Sequence, residues 1–548
     1  MRVDLIIENA RILTQVSARP TATRIAMLHG RVIALDDECA GLTASRTVDA
    51  DGAVLVPGFN DAHAHSVWFG HTLIEIDLAG CSSLDEVYAR IERGAAGKQP
   101  EEWVVAAGYN QMETGGIYPD ADALDRAASG RPVWIKHTSG HACIVNRAAM
   151  QLLGVTGREQ FDGGKVVCTS SGAPTGLLEE TAMSLVQRVL LPAPQEQIVR
   201  ALDVATQQYL REGLTSVTDA GIGGGWIGHS PAEFGAYQRS AELGVLRTRM
   251  QPMFVSDVLR EIELGETGGH FRGLQGGLRT GAGDDRLQVG PVKIFLDGSI
   301  LGNTAKLSEG YDNCATNHGY FQGDVETMRA QALDAARAGW ALAMHAVGDE
   351  AIDLAIEILA QLDTEGVVPP MMHRLEHGAV VSESQMRELA RFKAPIVAQP
   401  HFLPGNGDGF REYIGDQRAQ MSYPMASLLR HGLPVAGSSD RPVANGAPLA
   451  VMQSAVERLT ASGWVYGESE RLTAAQALEA YTVGSAEVTG WGARKGRLAP
   501  GYLADCVLLS DSPLDVPTSK ISQIEVLATV LGGEVVHDGV GVSGGSGS

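Results

Sequence analysis

Two histidines separated by a single residue, His63 and His65, close the run Pro57, Gly58, Phe59, Asn60, Asp61, Ala62, His63, Ala64, His65. The apolar stretch Ala53, Val54, Leu55, Val56 precedes it, and Pro57 and Gly58 punctuate its exit. The pair therefore falls where a buried strand gives way to a loop. Residues two apart point to the same side of a strand with backbones roughly 6 to 7 Å apart, close enough for two imidazoles to converge on one ion. The same spacing also occurs in exposed loops, so the pair alone leaves both readings standing.

The ends of later apolar or β-branched runs carry more chemistry: Lys293 and Asp297, then His345, His377, His401 and Asp440. A lone histidine at a strand end is usually a hydrogen-bonded rim residue. Several of them with a carboxylate, each closing a different run, read as a set of metal ligands. In the stretch 290–297, alternation puts Lys293, Phe295 and Asp297 on one face. A charged lysine repels a cation. Buried and neutral, it can take up carbon dioxide as a carbamate, an anionic two-oxygen group able to bridge two metals. The competing reading is a lysine paired with Asp297.

The elements that must position these groups follow a pattern. Strand-like runs at 55–61, 214–219, 247–255, 289–297, 340–345, 371–377, 395–399 and 434–439 alternate with helical periodicity at 196–212, 231–244, 325–339, 349–362, 382–392, 424–431 and 447–460. Parallel strands with crossover helices place this chain in the α/β class, as a (β/α)8 barrel of the TIM type whose chemistry gathers at the carboxyl ends of the strands. The stretch from His65 to Thr215 is far longer than one crossover needs and holds strands of its own, so it predicts an inserted α/β subdomain over 70–200, after the first barrel strand. Short β-rich runs at both ends predict one β-sandwich built from 1–56 and 484–548, around a barrel domain spanning 57–483.

Composition sets limits on partners. A net charge of −22 with no basic block argues against nucleic acid and anionic membrane surfaces. The six cysteines, Cys39, Cys81, Cys143, Cys168, Cys314 and Cys506, are far apart without a CxxC pair, which fits reduced thiols and a cytoplasmic setting. Neither an export signal nor a membrane span is legible. The run 543–548 is Gly and Ser only and reads as a disordered tail. The glycines at 221–225 are not followed by the Lys and Ser or Thr of a phosphate cradle.

Taken together, the motifs at 57–65, 292–305, 344–349, 374–377, 438–442 and 501–508, with Gly140, His141 and Asn146 and the run 172–179 in the insertion, resemble the amidohydrolase superfamily, in its amidohydrolase-3 branch. Asn60 and Arg441 depart from the usual pattern of that branch without touching a ligand. The resemblance implies that His63 and His65 bind the more buried metal with Asp440, that His345 and His377 bind a second, and that carbamylated Lys293 bridges them. It further implies zinc or another divalent ion, one or two per chain, and Asp440 as general base toward the attacking water. The expected reaction is hydrolysis of a carbon–nitrogen bond in a small amide, foremost an N-substituted formamide giving formate and an amine. A cyclic amide, carbamate or ester is the alternative substrate, and a non-catalytic binding protein, which should have lost ligands, is the alternative class.

Trp68, Tyr109, His141, Phe295 and Asp297 are the candidates for contacting substrate, with His401 and His318 behind them. The insertion is expected to roof the site and limit the acyl side, while Trp68, Phe69, Tyr109 and Phe295 offer an apolar wall to the N-substituent. Arg441, beside the expected base, leaves room for a single substrate carboxylate. The only partner expected is the small-molecule amide itself, with a homo-oligomer left open.

Overall fold

The computed structural model describes residues 1–137, 142–161, 164–224, 228, 230–263 and 270–539. His141 and the run 543–548 lie outside the described residues. The chain divides into two compact units, one formed by Met1–Ser66 with Thr206–Ser548 and the other by Val67–Ala205.

The first unit is built on a parallel sheet of seven strands: β1 (Phe59–Ala64), β2 (Leu214–Ile222), β3 (Arg249–Val255), β4 (Val292–Phe295), β5 (Leu342–Ala346), β6 (Arg374–His377) and β7 (Ile396–Val397). They pair in sequence order. Every residue of β1, β2 and β3 is buried, as expected of staves covered on both faces. The helices between them bury one stripe. In Asp349–Thr364 the buried positions are Ala351, Ile352, Leu354, Ala355, Ile358, Leu359 and Leu362, a three-to-four spacing that faces the sheet.

The expected eighth strand at 434–439 is not a regular strand. Its backbone still meets β1, since Ala62 N–H donates to Gly437 O at 2.9 Å and Asp440 N–H to His63 O at 2.7 Å. On the β7 side hydroxyls stand in for the ladder: Ser438 Oγ donates to Ala398 O at 3.1 Å and Gln399 Nε2 to Ser438 Oγ at 3.0 Å. Gly437 is required here, because a Cβ would lie 2.4 Å from the Tyr481 ring. The parallel sheet thus comes close to closing as a barrel. Two further elements escape the sequence patterns. The helix Phe402–Ala419 contains four glycines and is kinked at Gly415, which hides its periodicity, and Arg260–Glu263 pairs with His270–Gly273 where a crossover helix would stand after β3.

Strands from both termini form two more sheets. One contains Arg31–Leu35, Ile25–Leu28, Arg2–Glu8 and Thr43–Asp49; the other joins Glu534–Asp538, Val526–Leu531 and Cys506–Leu509 to Val54–Pro57, Arg11–Leu13 and Thr21–Ala22. Leu5, Ile12, Ile25, Met27, Leu55, Leu508 and Val530 share one buried cluster. Only Gly58 separates Val54–Pro57 from β1, so the terminal sheet directly anchors the strand that carries His63.

The second unit is a six-stranded sheet ordered Gly164–Cys168, Pro174–Glu180, Ala142–Val145, Val133–His137, Val104–Tyr109, Ile76–Asp77. Helices such as Leu84–Ala95 pack on it through Val87, Ile91 and Ala95. All six cysteines are free thiols, and no described helix is long and apolar enough to cross a membrane.

Candidate metal centre

The carboxyl ends of β1, β4, β5 and β6 and the stretch after Gly437 bring His63, His65, Lys293, His345, His377 and Asp440 into the first unit's interior. His63 Nε2 lies 3.3 Å and His65 Nε2 2.9 Å from the same oxygen, Asp440 Oδ1. His63, His377 and Asp440 each offer an atom within 4.8 Å of the others. Ring centroids of His345 and His377 are 4.5 Å apart, and those of His63 and His377 5.1 Å.

Two of these side chains ride on backbone that few side chains tolerate: φ is +75° at His377 and +56° at Asp440. At His377 this ends the strand alternation, so consecutive residues Glu376 and His377 both reach His63. Such strain persists only where the surroundings over-determine it.

Hydrogen bonds fix which ring nitrogens face inward. His63 Nδ1 is held by the Glu376 carboxylate, leaving Nε2 toward Asp440. Gln399 Nε2 donates to Val397 O and Ser438 Oγ, so Gln399 Oε1 is the acceptor for His377 Nδ1–H at 2.7 Å and His377 Nε2 keeps its lone pair. His345 Nε2–H donates to Gly298 O at 3.0 Å, leaving its Nδ1 as the lone-pair nitrogen.

The electrostatics favour the ligand forms of His377, His345 and Asp440, whereas at His63 burial lowers the pKa but the Glu376 and Asp440 carboxylates outweigh it and hold the ring above the usual imidazole value. Burial pushes His377 down to about 3 and, with His377 and Lys293 nearby, holds His345 well below the usual imidazole range, so both rings are neutral. Burial works against the Asp440 charge, but His63 and His65 beside it outweigh that and keep it ionised. Lys293 is 1 % exposed and pushed down to about 8 by burial. Among the described residues no hydrogen bond or ion pair reaches its Nζ, which lies 5.1 Å from the Phe295 ring.

Do these residues fit a metal? Asp440 Oδ1 is buried and makes no hydrogen bond among the described residues, although two imidazole nitrogens crowd it. An anionic oxygen left so would be costly without a cation. Ligand atoms around a tetrahedral zinc with bonds of about 2.0 to 2.2 Å stand roughly 3.4 Å apart. The 3.3 and 2.9 Å contacts of His63 and His65 to Asp440 Oδ1 come near that spacing, and the ligand atoms of His63, His377 and Asp440 lie within 4.8 Å of one another. The donor set fits.

A sequence profile described as the amidohydrolase family matches residues 46–537. The chain belongs to the amidohydrolase family. That makes it a metal-dependent hydrolase of carbon–nitrogen bonds. It is 27% identical over 562 residues to N-substituted formamide deformylase of Arthrobacter pascens, covering 98% of this chain and 99% of that one. It is 28% identical over 549 residues to Protein LONG AFTER FAR-RED 3 of Arabidopsis thaliana, covering 97% and 91%. Among solved structures, an uncharacterized metal-dependent hydrolase from Pyrococcus horikoshii superposes with a TM-score of 0.77 at 25% identity, covering 94% of this chain and 99% of that one.

The remaining candidates of this amidohydrolase divide. Phe295 stands at the centre, its ring 5.3 Å from that of His345. Asp297 does not pair with Lys293. Its oxygens accept backbone N–H groups of Val347 (2.9 Å), Gly348 (2.8 Å) and Lys306 (3.0 Å), while burial raises it to about 7. It anchors the loop after β5. Tyr109 belongs to the second unit's core, fully buried, with its hydroxyl donating to Ile117 O at 2.6 Å. Trp68 also lies in the second unit, 37% exposed on the helix Ser66–Ile74. His401 Nδ1 pairs with Ser454 Oγ at 2.8 Å, and His318 Nδ1 with Leu307 O at 3.2 Å.

Arg441 is the clearest departure from expectation. Both its terminal nitrogens bind the Glu212 carboxylate, which leaves little of the guanidinium for a substrate carboxylate. Sequence reasoning passed over Glu376, Arg374 and Gln399. Their signal was polar character inside otherwise apolar strand ends, visible at 374–377 and 395–399.

Proposed function

We propose that this amidohydrolase cleaves the carbon–nitrogen bond of a small uncharged amide, foremost an N-substituted formamide, releasing formate and an amine. The observation that carries the reading is Asp440 Oδ1, buried between His63 and His65 without a hydrogen bond among the described residues. His63, His65 and Asp440 would hold one divalent ion, zinc being favoured by the nitrogen-rich donor set, and His345 and His377 would hold a second. Lys293, buried and without a polar partner among the described residues, would as a neutral amine take up carbon dioxide with loss of a proton, and the resulting carbamate would add an anionic ligand to the set. A bound divalent ion supplies Lewis-acid polarisation of a carbonyl and lowers the pKa of a bound water toward 7.

The protein's own groups do the rest. Asp440, ionised despite burial, accepts a proton from the attacking water and delivers it to the departing amine nitrogen, so each turnover consumes one water and returns the carboxylate unchanged. The Phe295 ring gives the chamber an apolar side. The commitment of Arg441 to Glu212 supports an uncharged substrate over an N-acyl amino acid. Likeness to N-substituted formamide deformylase over nearly the whole chain supports the formyl preference.

The test compares an N-benzyl formamide, its acetamide analogue, a hydantoin-like ring and an N-acyl amino acid on zinc-loaded protein. The formamide should turn over fastest. Faster hydrolysis of the ring or the amino acid moves the assignment to that substrate.

A further inference from the structure

We propose that Glu212 and Arg441 form a latch that keeps Asp440 in the metal-binding set, so that Arg441 is a positioning residue and not an anion receptor; this rests on the reading of Asp440 as a ligand. Arg441 directly follows Asp440 and its side chain is only 5% exposed. Its Nη1 binds Glu212 Oε2, its Nη2 lies 3.1 Å from Glu212 Oε1, and the guanidinium stands 5.7 Å from the Tyr209 ring. A planar fork held on two carboxylate oxygens restricts orientation as well as position.

The backbone around it transmits that restriction. Arg441 O accepts His65 N–H at 2.7 Å, and Asp440 N–H donates to His63 O at 2.7 Å. Arg441 N–H donates to Ser439 Oγ at 3.1 Å, and Ser439 Oγ to Asp61 Oδ2 at 2.5 Å. Asp440, at φ +56° between these contacts, holds a conformation it would leave if the chain around it loosened. This stretch also lacks a regular strand ladder to hold it in register. Glu212 stands in the turn between the helix Gln195–Arg211 and β2, so the latch ties the Asp440 backbone to a second barrel element.

The experiment measures zinc affinity by chelator competition, with no substrate present, in wild type, Glu212→Gln, Arg441→Ala and Arg441→Lys. Glu212→Gln and Arg441→Ala should weaken zinc binding by about 10- to 100-fold, the loss typical when a group supporting a ligand is removed. Added guanidinium should partly restore Arg441→Ala. Arg441→Lys should not recover wild-type affinity, because an ammonium cannot span both oxygens. On the fastest amide, kcat should fall while KM stays within about threefold.

Wild-type zinc affinity in Glu212→Gln, the milder change should Arg441→Ala fail to fold, overturns the latch. So does a rise in KM at unchanged kcat, which would make Arg441 a substrate contact. If wild type binds zinc, the variants weaken it, and no amide is hydrolysed, the substrate reading fails while the latch stands.

Discussion

His63 and Glu376 share a buried contact in which the imidazole Nδ1 meets one carboxylate oxygen, while Arg374 Nε donates to the other at 2.7 Å. Arg374 also donates from Nη2 to Ala62 O at 2.8 Å, so the relay returns to the strand that carries His63. In the neutral ring this arrangement favours the tautomer with the proton on Nδ1 and a lone pair on Nε2, which faces Asp440.

Glu376→Gln should therefore weaken zinc retention by about 10- to 100-fold, since the amide can turn its NH2 toward Nδ1 and favour the wrong tautomer. Competition with a chelator measures it. Unchanged retention would mean that the contact shapes the barrel without tuning the ligand.

Lys293→Arg should abolish activity and lower metal content, because guanidinium stays protonated and cannot form a carbamate. Lys293→Ala should be partly rescued by short carboxylates in the assay. Normal turnover by Lys293→Arg would show the residue to be an ordinary buried cation.

Asp440→Asn should leave the fold intact, because Asn tolerates a left-handed backbone as Asp does. Turnover should drop by at least about 100-fold, the scale of a lost general base. Circular dichroism and steady-state kinetics read the two effects, and a change confined to KM would remove Asp440 from proton transfer.

Acid should destabilise the protein partly through His373, which is outside the metal set. Burial pushes this ring from 6.5 down to about 4, and its Nδ1 accepts Leu342 N–H at 3.0 Å. The folded pKa is depressed, so below 6.5 the unfolded chain binds a proton that the folded chain refuses. The contribution to stability is full above that value and is lost as pH falls toward about 4, on the order of 3 kcal/mol in all. His373→Asn keeps an acceptor and removes the titration, so denaturant unfolding at pH 7.5 and 5 should show a smaller loss than in wild type. Parallel losses would point elsewhere.

Much of the clustering at the centre is legible in the amino-acid sequence. That His63, His65, His345, His377 and Asp440 lie together could be read because barrel strands end in a common place, so residues at strand ends share one chamber. The order of the parallel strands was readable for the same reason: buried staves are apolar throughout, and the helices between them keep a stripe. Tertiary structure alone decided the contacts made across the barrel between residues distant in sequence. Glu376 against His63, Gln399 against His377 and Glu212 around Arg441 depend on which strand ends face each other, and no local pattern encodes that. It also decided that Asp297 serves backbone amides, that Tyr109 is core, and that the stretch before Asp440 meets β7 through Ser438 and Gln399 side chains instead of a strand ladder. Periodicity reports which face of an element is buried; what that face meets is settled only when the chain has closed on itself.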